Sequence, residues 1–96
     1  MRRLILTFLV FVSINTFSQT IVGTVKDATE NIAFADVIIK NSTNKIIAGA
    51  TTDDNGKFSV KVKEGTYTIH ISFLGYESWS KQLMVSKNLN LGIITL

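Results

Sequence analysis

The chain has no cysteine and no proline among its 96 residues. Without cysteine there is no disulfide framework, and no thiol to carry a lipoprotein's lipid. Secreted domains of this size often depend on disulfides, because small cores bury only about 60–65% of the chain's surface. Packing alone, or a larger protein attached to it, has to hold this one together. Without proline, the turns are left to Gly, Asn and Asp. There is a single histidine and a single tryptophan. No block of like charge occurs, which argues against nucleic acid, since phosphate binding requires clustered Lys or Arg.

The first residues read as something other than fold. Arg2 and Arg3 precede an apolar run from Leu4 to Ile14, interrupted only by Thr7 and Ser13, and Thr16-Phe17-Ser18 supplies small residues before Gln19. These are the three regions of a cleavable secretory signal peptide. As a helix the apolar run would rise only about 16 Å, against a hydrocarbon core of about 30 Å, so it is too short to span a membrane. The expected organisation is a signal peptide over residues 1–18 and one domain over 19–96. The two arginines lie in that leader, which leaves eight lysines against seven acidic residues in the mature chain. Lys57, Lys61 and Lys63 group on the polar face of one strand, as a solvated face guarded against edge pairing.

Strand signals recur about every ten residues. Thr20 to Lys26 is the first, Ala35 to Lys40 the second and Ile46 to Thr52 the third. Asp53 to Gly56 is expected to close a hairpin into the fourth, where Phe58, Val60 and Val62 oppose Lys57, Ser59, Lys61 and Lys63. Glu64-Gly65 turns into the fifth, in which Tyr67, Ile69, Ile71 and Phe73 oppose Thr66, Thr68, His70 and Ser72. A period of two puts each set on one side of a pleated sheet. Glu77 to Val85 is the sixth strand, and Leu89 to Leu96 the seventh. In the last strand Leu89 and Leu91 alternate, then Ile94 and Leu96 continue out of phase, and a β-bulge at Gly92 would return both pairs to the core. No helical period follows the leader. The expected fold is all-β, a seven-stranded antiparallel β-sandwich, with Ile21, Val25, Val37, Ile39, Phe58 and Ile69 among its core residues.

From Thr20-Ile21-Val22-Gly23-Thr24-Val25-Lys26-Asp27 onward the chain resembles the carboxypeptidase regulatory-like domain family. The resemblance runs through Ala33-Phe34-Ala35-Asp36-Val37, Ala50 to Phe58, Gly65-Thr66-Tyr67 and Ser72-Phe73-Leu74-Gly75-Tyr76 to the closing Leu91-Gly92-Ile93-Ile94-Thr95-Leu96. Glu30-Asn31-Ile32 stands where such domains often carry a proline. The resemblance implies a transthyretin-like (prealbumin-like) sandwich. It also implies a place after the signal peptide of TonB-dependent outer-membrane receptors and related β-barrel proteins of Bacteroidetes-type bacteria. The partners it implies are envelope or outer-membrane proteins, with a downstream plug and barrel in the same polypeptide or assembly.

No residue pattern carries catalysis, a cofactor or a metal. His70 lies on the polar side of the fifth strand without a nucleophile, carboxylate or further ligand suggested beside it. Asp53-Asp54-Asn55-Gly56 is short of an EF-hand loop, which needs a glutamate about six residues after its glycine. Lys61 and Val62 occupy that region, and a turn accounts for the four residues. Asn41-Ser42-Thr43 matches a glycosylation sequon and reads as a turn. Trp79 alternates with Glu77 and Lys81, which suggests the wetter face of its strand. With Tyr76 it offers an aromatic pair that would stack on a sugar or dock a partner, unless the indole covers the rim of the sandwich.

The expected function is that of a non-catalytic accessory or interaction domain, exported to the periplasm or outer membrane, with no transmembrane span of its own. A carbohydrate-binding or adhesive module using Trp79 and Tyr76 is the alternative, and a peptidase-associated regulatory domain is the third.

Overall fold

The computed structural model describes residues 18–96, and the leader expected over 1–18 lies outside them except for Ser18. Seven strands alternate in direction along the chain: β1 (Ser18–Lys26), β2 (Asp36–Lys40), β3 (Ile46–Thr51), β4 (Lys57–Lys63), β5 (Gly65–Ser72), β6 (Trp79–Val85) and β7 (Leu89–Thr95). They form a three-stranded sheet in the order β4-β1-β7 and a four-stranded sheet in the order β3-β2-β5-β6. Together these make the all-β sandwich that the alternation predicts.

Alternation produces the core directly. In β4 the burial alternates strictly, with Phe58, Val60 and Val62 buried between exposed neighbours. Ile21 and Val25 from β1 face Val37 and Ile39 from β2 and Ile69 and Ile71 from β5, and all six are at most 1% exposed. Burying side chains of this size contributes about 1.5–3 kcal/mol each, which suits a small domain without cross-links. Leu83, Val85 and Ile94 close the core from β6 and β7.

Two expectations change. The antiparallel pattern has one exception, because β1 and β7 pair in parallel. In a chain whose strands run alternately up and down, two odd-numbered strands point the same way, so placing β7 beside β1 forces a parallel ladder. The Asp53–Gly56 turn is a corner rather than a hairpin, since β3 and β4 belong to different sheets. Its local geometry is still a tight turn: Asp53 Oδ1 accepts the amides of Asn55 (2.8 Å) and Lys57 (2.9 Å). The Gly56 carbonyl accepts the Val25 amide at 2.7 Å, which pins the corner to β1. Gly56 has φ 77°, and a Cβ there would stand 2.5 Å from the Val25 carbonyl oxygen, so glycine is required for closure as well as for φ.

The bulge appears where expected. Val22 pairs with Asn90 and Thr24 with Ile93, so β7 carries one extra residue there. Gly92 supplies φ 72° and its amide donates to Asn90 Oδ1 at 2.9 Å. Ile94 is thereby buried, while Leu89, Leu91 and Leu96 pack against the core.

Candidate functional site

The strand directions sort the loops onto two ends. One end gathers the 27–35 segment, the 52–56 corner, the 73–78 loop and Leu96. The other gathers Ser18, the 41–45 turn and the 86–88 turn. The first of these, the loop end, is tied together by specific bonds. Asp27 Oδ1 accepts the amides of Thr29 and Glu30, both at 2.8 Å, and Asp27 Oδ2 accepts the Tyr76 hydroxyl at 2.7 Å. Leu96 donates its amide to the Lys26 carbonyl at 2.9 Å. Deeper in, Thr52 is 1% exposed; its hydroxyl donates to the Ile32 carbonyl and accepts the Ala35 amide, each at 2.8 Å. That one side chain satisfies two backbone groups which would otherwise be buried without partners.

These bonds set the electrostatics. The Glu30 amide, the Tyr76 hydroxyl and the Thr29 amide hold the Asp27 carboxyl far below the ordinary carboxylate range. The same Asp27 bond raises the Tyr76 phenol. Asp53 is lowered by the Lys57 and Asn55 amides.

On this frame sit exposed apolar side chains. Phe34 is 65% exposed and Leu74 93%. Each lies two residues beyond Asp36↔Ser72, the last pair of the β2–β5 ladder, so the two extend from adjoining strand ends. Phe34 also has φ 61°, a left-handed conformation that costs an L-residue about 1–2 kcal/mol. The Phe34 amide bonded to the Thr52 carbonyl at 3.0 Å, and the Ala35 amide bonded to the Thr52 hydroxyl, hold that backbone in place. A strained backbone that presents an aromatic ring to solvent is the kind of feature that concentrates at functional sites.

Of the two aromatics singled out from sequence, Tyr76 belongs to this end. It is 38% exposed, its hydroxyl is held by Asp27, and its ring centroid lies 6.1 Å from that of Phe73. Trp79 is half-buried and packs against the core, in phase with the buried Leu83 and Val85 of β6. Its ring therefore covers the sandwich rim instead of standing on the wet face. Lys81 intervenes in that phase and disguises it. Phe34 and Leu74 were not singled out from sequence, although Leu74 breaks the alternation of its strand and is a signal of an outward apolar residue.

His70 is half-buried on β5, with Ile38 and Ser80 as its cross-strand neighbours and no carboxylate in that row. Among the described residues, no group of three or more His, Cys, Asp or Glu side chains is placed to hold a metal ion. Asn41 is spent on its turn, with Oδ1 accepting the amides of Thr43 and Lys45, both at 3.0 Å. An open groove of about 410 Å³ lies at the opposite end from Phe34, between Asn41, Ile47, Lys63 and Tyr67. Its lining brings together no acid–base pair.

This architecture is a seven-stranded β-sandwich of two sheets, with its loops sorted onto two ends. The carboxypeptidase regulatory-like domain model matches residues 20–96, and the chain belongs to that family. Two solved structures share the fold. The Bacillus anthracis TIE protein is 20% identical with a TM-score of 0.68, and the match covers 81% of this chain and 16% of that one. A DUF3823 family protein from Parabacteroides merdae is 13% identical with a TM-score of 0.58, covering 81% of this chain and 45% of that one. The chain thus spans less than half the length of either. No curated protein matches the sequence.

Proposed function

We propose that this chain is a non-catalytic interaction domain of an exported envelope protein, and that it works by contact at its loop end. The observation that carries the reading is the rigid, hydrogen-bonded frame presenting Phe34, Leu74 and Tyr76 to solvent. Exposed apolar groups clustered on a braced surface favour docking over chemistry. The signal-peptide pattern of residues 1–18 supports export. Family membership supports an accessory role, and by that resemblance the setting is the N-terminal extension of a TonB-dependent receptor or another outer-membrane β-barrel protein.

The test combines fractionation with site-specific cross-linking. The protein should leave the cytoplasm with residues 1–18 removed. A photo-cross-linker replacing Leu74 should give discrete adducts with envelope proteins, and one replacing Ser59, on the exposed face of β4, should not. Retention in the cytoplasm with Met1 intact would sink the export reading. Peptide hydrolysis lost in His70→Ala would sink the non-catalytic one. Tight glycan binding lost in Trp79→Ala, with folding intact, would put the carbohydrate module in its place.

A further inference from the structure

The two sheets turn different outer faces to solvent. In β1 and β4 the side chains between the buried ones point outward, and the register pairs Thr20 with Lys61, Val22 with Ser59 and Thr24 with Lys57. On the far side of β1, Val22 pairs with Asn90, Thr24 with Ile93 and Lys26 with Thr95. The outer face of the β4-β1-β7 sheet therefore collects Lys26, Lys57, Lys61 and Lys63 and, among the described residues, no acidic side chain. The outer face of the other sheet is balanced, with Asp36 and Lys40 on its strand β2. Guarding the β4 edge accounts for three of the lysines, but not for Lys26 on the central strand or for the lack of acids on all three strands. The acids flanking the face, Asp27, Asp53 and Glu64, lie in turns beyond its strands. The carboxylates of Asp27 and Asp53 are tied into the loop end by hydrogen bonds, and Asp53 offsets part of the Lys57 charge.

Two further features of this face select its occupant. Ile93 is 66% exposed beside Thr24, with the half-buried Val22 one pair along. An open groove of about 330 Å³ lies between Val22, Thr24, Lys57 and Asn90. Asn90 spends Oδ1 on the Gly92 amide, which leaves its NH2 group, with the Thr24 hydroxyl and the Lys57 ammonium, as donors to an anion. Cations, small donors and a protruding apolar side chain on one face together fit a lipid surface. There, attraction to anionic headgroups adds to the burial of apolar area at the interface. A single-stranded nucleic acid would call for aromatic stacking platforms, and no aromatic side chain points outward from these three strands.

We infer that the outer face of the β4-β1-β7 sheet is a membrane-docking face, which seats on the phosphodiester headgroups of an anionic bilayer with Ile93 entering the interface. The four lysines supply most of the attraction and one apolar side chain adds little area, so binding is reversible and sensitive to salt. Docked this way, the strands lie along the bilayer, and the loop end with Phe34 and Leu74 stays at the side of the contact. The lipid contact is thus separate from protein docking at that end.

Vesicle sedimentation with residues 19–96, which contain the whole core, tests this. Omitting the leader keeps its apolar run, Leu4 to Ile14, from binding lipid by itself. The protein should bind vesicles of mixed phosphatidylglycerol and phosphatidylcholine but not phosphatidylcholine alone, and added salt should release it. Lys61→Gln with Lys63→Gln should weaken binding about 25-fold, at about fivefold per lysine. Lys40→Gln with Lys81→Gln removes the same charge from the other sheet and should leave binding nearly unchanged. Ile93→Thr should weaken it several-fold at constant charge, and every variant should keep the parent's circular dichroism spectrum. Absence of binding to the anionic vesicles overturns the inference, and so does an equal loss in the two lysine pairs. Tight binding of heparin, together with vesicle binding indifferent to Ile93→Thr, would make this a site for a soluble polyanion and overturn the membrane reading.

Discussion

Asp27 and Tyr76 are 49 positions apart and share one hydrogen bond of 2.7 Å, which closes the loop end from both sides. Neither partner's role was legible in the sequence, where Asp27 reads as an ordinary loop residue. Its importance comes from the fold bringing two loops together. The pair has a pH signature at both extremes. The Asp27 carboxyl is lowered by the Glu30 amide, the Tyr76 hydroxyl and the Thr29 groups, so its contribution is full above the unfolded value of about 3.9 and is lost as pH falls through the folded value. The Tyr76 phenol is raised by Asp27, so its contribution is full below the unfolded value of about 10 and is lost as pH rises through the folded one. Tyr76→Phe should therefore lower the melting temperature at neutral pH. The difference from the parent should shrink progressively as pH falls below about 4 and as it rises above about 10, where the unfolded chain's groups begin to titrate. Thermal melts across that range check it, and a constant difference would mean the bond contributes nothing. Thr52 was equally hidden, since a threonine ending a strand gives no sign that the 32–35 segment will fold over it.

The strands were the most legible elements. Alternation located all seven to within a few residues, and the phase break at Gly92 foretold the bulge. The sequence does not reveal which turns change sheets. Asp53-Asp54-Asn55-Gly56 has the same local chemistry whether its strands re-pair or part, and the Val25–Gly56 bond that decides the matter is long-range. The bulge gives a sharp test. Deleting Gly92 removes the extra residue and turns either Ile94 or Leu91 away from the core, at a cost of about 2–5 kcal/mol if the buried Ile94 is the one lost. Gly92→Ala keeps the residue count and pays only for φ 72°, about 1–2 kcal/mol. Urea denaturation should rank the deletion well below the substitution. Equal losses would mean that glycine's conformation matters there rather than the register.

At the scale of the molecule, charge is sorted along the strand axis. Asp27, Glu30, Asp36, Asp53, Asp54 and Glu77 surround the loop end, with Lys26 and Lys57 the lysines nearby. Lys40, Lys45, Lys61, Lys63 and Lys87 lie toward the other end, with Glu64 as their acidic neighbour. The near-neutral total of residues 19–96 conceals this polarity, because net charge is a sum and the fold supplies the positions. The family was legible from the order of its short motifs along the chain, while the exposed Phe34–Leu74 tip was not. Exposure at a loop end depends on which ladder ends where.

The parallel pairing of β1 with β7 also determines how the domain responds to being stretched. The chain enters the fold at Ser18, at one end of β1, and β7 finishes at Thr95 beside Lys26, at the other end. Tension applied between Ser18 and Leu96 pulls these two hydrogen-bonded neighbours in opposite directions along their own length. Every bond of the ladder is then loaded together in shear. Tension applied between Ser18 and Lys87, both at the same end, would instead open the ladder one bond at a time. Single-molecule stretching should find a several-fold higher rupture force for the first attachment than for the second. The parallel pairing makes the sandwich a stiff link when pulled from opposite ends and a zipper when pulled from one.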